Sequence, residues 1–293
     1  MDKATVIGGS GFLGSHVADE LTRRGCQVTV FDCVPSPWFN SKQNMVVGNM
    51  LDRGLLAKAC NGSRYLYHFA GIADISEAKV SPFKTIEANV LGTTTVLEVA
   101  QEIGVERFVY ASTMYVYSTA GSFYRASKQA AETIIEAYSE SFGLGYTLLR
   151  YGSLYGPRAQ TWNGLRSYVE QVVKEDRLEY EGSGQELREY IHVLDAARLS
   201  VDILDKQHRN EAITVTGTQI LKSTDLAEMI FEIAGKKTNI IYSEGERSKE
   251  HYKMTPYRYT PKQAKKLVPS EFIDLGQGIL EVFQEVHQDG DND

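Results

Sequence analysis

An α/β fold, with a doubly wound parallel sheet followed by a smaller mixed α/β C-terminal region, is predicted by three features of this sequence. Short β-rich runs alternate with longer helical patterns through the first half of the chain. Several runs, such as ATVIGG and YLYHFAG, are apolar throughout, as strands are when helices cover both faces of a parallel sheet. A glycine-rich turn stands where the first strand would pass into the first helix. Together these describe a Rossmann-type sheet.

The first strand is predicted in ATVIGG and the first helix over 15–24. CQVTVFD, MVVGN, LLAKAC and YLYHFAG continue the series. A long helix over 82–103, the run RFVYAS, a helix over 124–142 and YTLLRYG complete the first half. After Tyr151 the texture changes: aromatics and glycines scatter through 156–190 around a charged helix over 169–177. IHVLDAARLSVDILD and EAITVTG supply one further helix and strand. A helix over 224–234, the short strand NIIYS, a Tyr- and Lys-rich loop and a terminal helix over 276–286 follow, and the tail HQDGDND is expected to fray.

The turn reads Val6-Ile7-Gly8-Gly9-Ser10-Gly11-Phe12-Leu13-Gly14, with glycines at a G-x-x-G-x-x-G spacing. Gly8 permits the tight turn, Gly11 lets the backbone approach a pyrophosphate, and Gly14 lets helix and strand pack closely. Free N–H groups at the helix start then face the phosphates. The second strand ends in Asp32, 18 positions beyond Gly14. An acid there accepts hydrogen bonds from the adenosine ribose hydroxyls and repels a 2′-phosphate, and no arginine follows closely. The expected cofactor is NAD in preference to NADP.

The segment GSFYRASKQAA holds Tyr124 and Lys128 at the head of an alanine-rich helix. With 17 tyrosines in the chain, about one Tyr-x-x-x-Lys pair is expected by chance, so context carries the assignment. On a helix the two share a face, and the ammonium, jointly with a cationic nicotinamide ring, can lower the phenol's pKa, while the lysine also holds the nicotinamide ribose. The phenolate would then serve as a general base. Just upstream, RFVYASTMYVYS ends a strand with Ser112 and Thr113, hydroxyls that can bridge a substrate oxygen and the tyrosine. His68 and His192 are read as core or capping residues, and Asp195 and Asp202 as solvated carboxylates. Residues 1–152 form the expected NAD-binding domain, with 188–217 returning to it, and 153–293 the smaller substrate-binding region.

Composition narrows the function classes. Hydrophobic residues make up 42% and charged residues 24% of the chain, the ordinary range of a globular protein. The net charge of −7, and the lack of any Lys/Arg cluster beyond KQAKK at 262–266, argue against a nucleic-acid partner. Cys26, Cys33 and Cys60 show neither a C-x-x-C spacing nor an even count, so no disulfide framework and no metal site are expected. The amino end has no signal-peptide pattern, and no stretch approaches the roughly 18 apolar residues of a membrane helix. No membrane association and a cytoplasmic location are expected.

On these residues the chain resembles the extended short-chain dehydrogenase/reductases, specifically the NAD-dependent epimerase/dehydratase branch that works on nucleotide sugars. GGSGFLGSH, HFAG at 68–71, NVLGT at 89–93, VERFVYAST, YRASK, LRYGSLYGPR and REYIHVLDAAR occur in that family's order and approximate spacing, and YTPKQAKKL resembles its ending. The resemblance implies an NAD site lined by Gly8, Gly11, Phe12, Leu13, Asp32, Asn49, Met50, Phe69, Ala70, Gly71, Asn89 and Tyr151 together with Tyr124 and Lys128. It implies a catalytic set of Thr113, Tyr124 and Lys128, and substrate contacts from Thr113, Ser153 and Arg188, the arginine taking the diphosphate. The implied activity is epimerisation of a nucleotide sugar, most simply at C4 of a UDP-hexose. The alternatives are a net dehydrogenase or reductase on the same scaffold, or a non-catalytic dinucleotide-sensing regulator. The helices over 82–103 and 124–142 would pair across a homodimer as a four-helix bundle. Four departures stand out: the segment from Tyr117 to Tyr124 is short, Met114 and Tyr115 occupy the position of the dehydratases' Asp-Glu pair, Ser153 replaces an asparagine, and Asn49 an aspartate. Dehydration is therefore disfavoured.

Overall fold

The computed structural model describes residues 1–243, 245 and 250–259. The expected terminal helix over 276–286, the KQAKK run and the tail lie outside them. β1 (Lys3–Ile7) turns into α1 (Phe12–Arg23), and β2 (Gln27–Asp32), β3 (Asn44–Val47), α2 (Arg53–Cys60) and β4 (Tyr65–His68) follow. α3 (Ile75–Val80) and α4 (Pro82–Ile86) lead through a π-turn over Glu87–Leu91 into α5 (Gly92–Ile103). β5 (Arg107–Thr113), α6 (Ser122–Phe142) and β6 (Tyr146–Tyr151) complete the first half. Beyond it come β7 (Ser153–Tyr155), α7 (Gly164–Glu175), β8 (Leu178–Glu181), β9 (Leu187–His192), α8 (Val193–Asp202) and β10 (Glu211–Val215). β11 (Ile220–Lys222), α9 (Ser223–Ile233) and β12 (Ile240–Ser243) follow.

Seven strands pair in parallel in the order β3-β2-β1-β4-β5-β6-β10. Neighbouring side chains on a strand point to opposite faces, so Val6 and Val30 enter the core under α1 and α8, whereas Ile7 and Phe31 enter the one under α2, α5 and α6. Both faces are dry, which is why these strands are apolar throughout. The strand order reverses between β1 and β4, and the crevice at the carboxyl ends of such strands is where open α/β sheets hold ligands. The later elements form a three-stranded sheet, β11-β9-β7, and a two-stranded one, β12-β8, around a third core that includes Val172, Leu178, Leu226 and Phe231.

Three local departures from the sequence reading have identifiable causes. α1 begins at Phe12, three residues before the predicted start, because Gly11 is an extended N-cap whose carbonyl accepts from Ser15 N at 3.1 Å. α7 begins at Gly164 because Asn163 caps it, its side chain accepting from Arg166 N. The helix expected over 82–103 is interrupted by the π-turn, where Thr93 Oγ1 donates to the Asn89 carbonyl at 2.7 Å.

Candidate active site

A cavity of about 1360 Å³ opens at the carboxyl ends of β1, β4, β5 and β6. A single drug-sized ligand fills a pocket of roughly 300–1,000 Å³, so this one has room for two molecules side by side. One end is the glycine turn, where Gly8, Gly11, Phe12, Leu13 and Asp32 line the wall. Gly8 has φ +84°, a conformation open to glycine, and a Cβ there would stand 2.3 Å from Ala70 N. Asp32 is held by Ser10 N, 2.9 Å from Oδ2, and Val34 N, 3.3 Å from Oδ1. The first turn of α1 carries no acid, and Gly11 caps it without a side chain, so its N–H groups and dipole are left for an anion. These features fit a dinucleotide: a close-approach turn for the pyrophosphate and a carboxylate for the ribose.

Midway along the cavity, Thr113 at the end of β5 lies beside Tyr124 and Lys128 on the first turns of α6. Lys128 is 5% exposed; its Nζ donates to the Ala111 carbonyl at 2.8 Å and sits 4.7 Å from the Tyr110 ring centre. Burial pushes its pKa down to about 8, opposed by the charge of Glu132. Burial also pushes the Tyr124 phenol up to about 12, opposed by a hydrogen bond with the Thr113 side chain.

The far end is built around Arg188 on β9. Its guanidinium stacks 4.9 Å from the Tyr252 ring centre, and its charge opposes the burial that raises the Tyr115 phenol. Among the described residues no carboxylate pairs with it. Phenols alone are poor compensation for a cation withdrawn from water, and the arrangement suits an incoming anion. The Tyr115 ring centre lies 4.5 Å from that of Tyr252, tilted by 46°, and meets the Tyr124 ring edge-on at 6.0 Å, and its hydroxyl is hydrogen-bonded to His251 Nδ1. Residues 250–257 thus form a strap along the wall that the short 118–121 turn leaves bare. Gly121 N donates to the Glu250 carbonyl at 3.0 Å, Glu250 pairs with Lys79 of α3 at 2.7 Å, and Leu187 N donates to the Lys253 carbonyl at 2.8 Å.

Of the residues singled out from sequence, Asn49, Met50, Phe69, Ala70, Gly71 and Ser153 also line the cavity. Asn49 turns its Oδ1 onto Leu51 N. Tyr151 presents its ring, while its hydroxyl meets Ser200 Oγ at 2.6 Å, behind the wall. Asn89 is 1% exposed and outside the lining: it accepts from Ile72 N at 2.8 Å and donates to Ser127 Oγ at 2.9 Å, bracing the β4–α3 loop against α6. His68 is a core residue whose pKa burial and the Lys128 charge push down to about 3, and His192 caps α8. Asp195 and Asp202 pair at the surface with Arg198 and Arg24. Sequence reasoning missed the strap, because Glu250, His251 and Tyr252 carry no spacing signal. No helix among the described residues is long and apolar enough to cross a membrane, and no group of three or more His, Cys, Asp or Glu among them could hold a metal ion.

The sequence model of the NAD dependent epimerase/dehydratase family matches residues 4–216. The UDP-glucose 4-epimerase of Rhizobium meliloti is 27% identical, over 82% of this chain and 84% of its own. The UDP-N-acetyl-alpha-D-glucosaminuronate decarboxylase of Bacillus cytotoxicus is 25% identical over 85% of each chain. The crystal structure of the UDP-glucuronic acid 4-epimerase of Bacillus cereus, in complex with UDP-glucuronic acid and NAD, superposes with a TM-score of 0.79 at 23% identity, covering 89% of this chain and 95% of that one. The chain belongs to the NAD dependent epimerase/dehydratase family.

Proposed function

We propose that this member of the family is an NAD-dependent epimerase of a nucleotide sugar, most simply acting at C4 of a UDP-hexose. The observation that carries the reading is one cavity with three chemistries in line: a glycine turn with Asp32, the Thr113–Tyr124–Lys128 set, and Arg188 without a carboxylate partner among the described residues. The R. meliloti relative and the B. cereus structure support the substrate class.

The roles follow from placement. Bound NAD would supply a reversible hydride acceptor and, when oxidised, a positive charge near Tyr124. Backbone N–H groups at the start of α1 would hold its pyrophosphate, and Asp32 its adenosine ribose. Lys128, anchored by the Ala111 carbonyl, would hold the other ribose. Tyr124 would take the proton of the sugar hydroxyl and later return it, with Thr113 fixing that hydroxyl in line. A phenol at about 12 is a resting acid, so the ammonium and the oxidised ring must together draw it down before it acts as a base. Arg188 would hold the diphosphate, and the strap would close over the sugar.

The α6 residues Phe123, Ala126, Ala130, Thr133 and Ala137 fall on one side of the helix, away from the buried Lys128, Ala131 and Ile135, and the stripe carries no charge. With Phe83 of α4 at 79% exposure and Leu91 of the π-turn at 54%, it is the surface by which two copies would pair as a homodimer.

The test incubates the protein with a panel of sugar nucleotides and follows products by NMR. Epimer formation without accumulating NADH, abolished in Tyr124→Phe while NAD binding persists, is the expected result. Net NADH production indicates a dehydrogenase, and no chemistry with tight NAD binding indicates a sensor; full turnover in Tyr124→Phe refutes the mechanism.

A further inference from the structure

Outside the cavity, one helical turn beyond Lys128, α6 carries a second buried charge. Glu132 is 3% exposed and pairs with Arg150 of β6, which is 8% exposed. The contact is two-pronged: Arg150 Nη2 lies 2.6 Å from Oε2 and Nε 3.0 Å from Oε1. Glu132 Oε1 also accepts from the Ser112 hydroxyl, one residue before Thr113. Arg150 in turn stacks 4.7 Å from the Tyr117 ring centre and donates to the Tyr117 hydroxyl. A buried ion pair of this kind gains little stability over apolar side chains of equal volume, because desolvation offsets the attraction. Such a pair instead fixes one geometry: both carboxylate oxygens are engaged only when α6, β5 and β6 stand at one rotation and one register.

We propose that Glu132 is a positioning residue of the reaction centre: by joining α6 to Ser112 and Arg150, it sets Tyr124 and Lys128 of that helix against the strand end that carries Thr113. This rests on the reading of Thr113, Tyr124 and Lys128 as that centre. Neither Glu132 nor Arg150 lines the cavity, and Ser112, which does, turns its hydroxyl onto Glu132; the pair acts through the backbone from which the reacting side chains project. The carboxylate has a second effect. Lys128 faces the Tyr110 ring and Ala111 carbonyl on β5, His68 on β4, and Tyr124 and Glu132 on α6, with Arg150 of β6 behind Glu132. Glu132 is the charge that supports the ammonium against burial, so its loss lowers the pH at which Lys128 gives up its proton.

Glu132→Gln alone would strand Arg150 and is expected to lower the melting temperature sharply. The informative protein is the double variant Glu132→Gln with Arg150→Met, which removes both charges at similar volume, with Ser112→Ala as a second variant that leaves the ion pair in place. The double variant is expected to fold and to lose ten- to a hundredfold in kcat with KM within threefold of wild type. Its NAD affinity, titrated calorimetrically against pH, should fall at a midpoint lower than in wild type. Ser112→Ala is expected to lose several-fold in kcat at unchanged melting temperature and unchanged KM, whereas a raised KM would mark a direct substrate contact by this cavity-lining hydroxyl and count against the positioning role. If the double variant folds with kcat and midpoint unmoved, or if it fails to fold and Ser112→Ala is silent, the pair is structural only and the inference fails. Tyr124→Phe separates the two claims: full turnover in that variant sinks the proposed mechanism, whereas an inactive Tyr124→Phe beside a fully active double variant sinks only the role of Glu132. Should no sugar nucleotide turn over, the pH midpoint of NAD binding still decides it.

Discussion

Gly14→Ala sets two physical effects of opposite sign against each other at the head of α1. Alanine in a helix interior is favoured over glycine by about 1 kcal/mol, so open space would make the substitution stabilising. The space is closed: a Cβ at Gly14 would lie 2.2 Å from the Gly8 carbonyl oxygen and 3.0 Å from its carbon, both backbone atoms that cannot swing aside. Ordinary contact begins near 3.4 Å, so helix and turn must separate by roughly 1.2 Å. Overpacking of this kind costs about 1–3 kcal/mol or more, enough to overcome the propensity gain. A net loss on the order of 1–2 kcal/mol lowers the melting temperature by roughly 2–8 °C in a chain of this size. The same displacement carries the N–H groups of Phe12 and Leu13 beyond hydrogen-bonding range of a phosphate. Losing one or two bonds to a charged group, about 1.5–3 kcal/mol each, weakens NAD binding by roughly tenfold to a thousandfold or more. Calorimetric titration with NAD and thermal unfolding of the same samples measure both. A variant that melts at or above wild type and binds NAD within threefold would refute the close-packing account of this turn.

Lys128 predicts an unusual pH dependence. Its pKa is about 8 in the folded protein and 10.5 when free, so between these values the unfolded chain holds the extra proton and unfolding becomes harder as pH rises. Lys128→Met should therefore be more stable than wild type at pH 7, by up to about 3 kcal/mol, with the gain fading toward pH 10.5; equal stability in denaturant at pH 7 would contradict it. His251→Ala removes the partner of the Tyr115 phenol and should raise KM for the sugar nucleotide about five- to tenfold while NAD affinity holds, and an unchanged KM would remove the strap from the binding site. Ala126→Arg places a charge in the α6 stripe and should halve the mass measured by light scattering without changing the circular dichroism spectrum. A monomeric wild type would dispose of the pairing surface.

The large sheet was legible because local chemistry decides it. Gly8 and Gly14 mark the turn by what they lack, β1 and β4 are apolar because both faces are covered, and Asp32 ends its strand at the place the turn requires. The Tyr124–Lys128 pair was legible once the hydroxyls of β5 stood just upstream. Contacts made across long sequence separations were not. Tyr115 meets His251, and Arg188 meets Tyr252, through packing that no period of 2 or 3.6 residues encodes. α3, six residues long, is too short to show a helical period. Asn89 bears a family signature yet acts from behind the wall, a distinction that only the hydrogen bonds of its side chain reveal. The desolvation that pushes the Tyr124 phenol up to about 12 was not legible either, because spacing reports which charges are near and says nothing of how much water has been removed.

The strap has a consequence for the order in which the protein becomes competent. A ribosome delivers β1 through β10 first, so the crevice for the dinucleotide can close while the side chains of residues 250–257 are still unmade. On the proposed roles, the contacts to the cofactor and the strap's contacts to the sugar come from different stretches of the gene, with Thr113, Tyr124 and Arg188 in the first. On those roles, exchanges within 250–257 would retune how the sugar is enclosed without touching the turn at Gly8 or the helix that bears Tyr124.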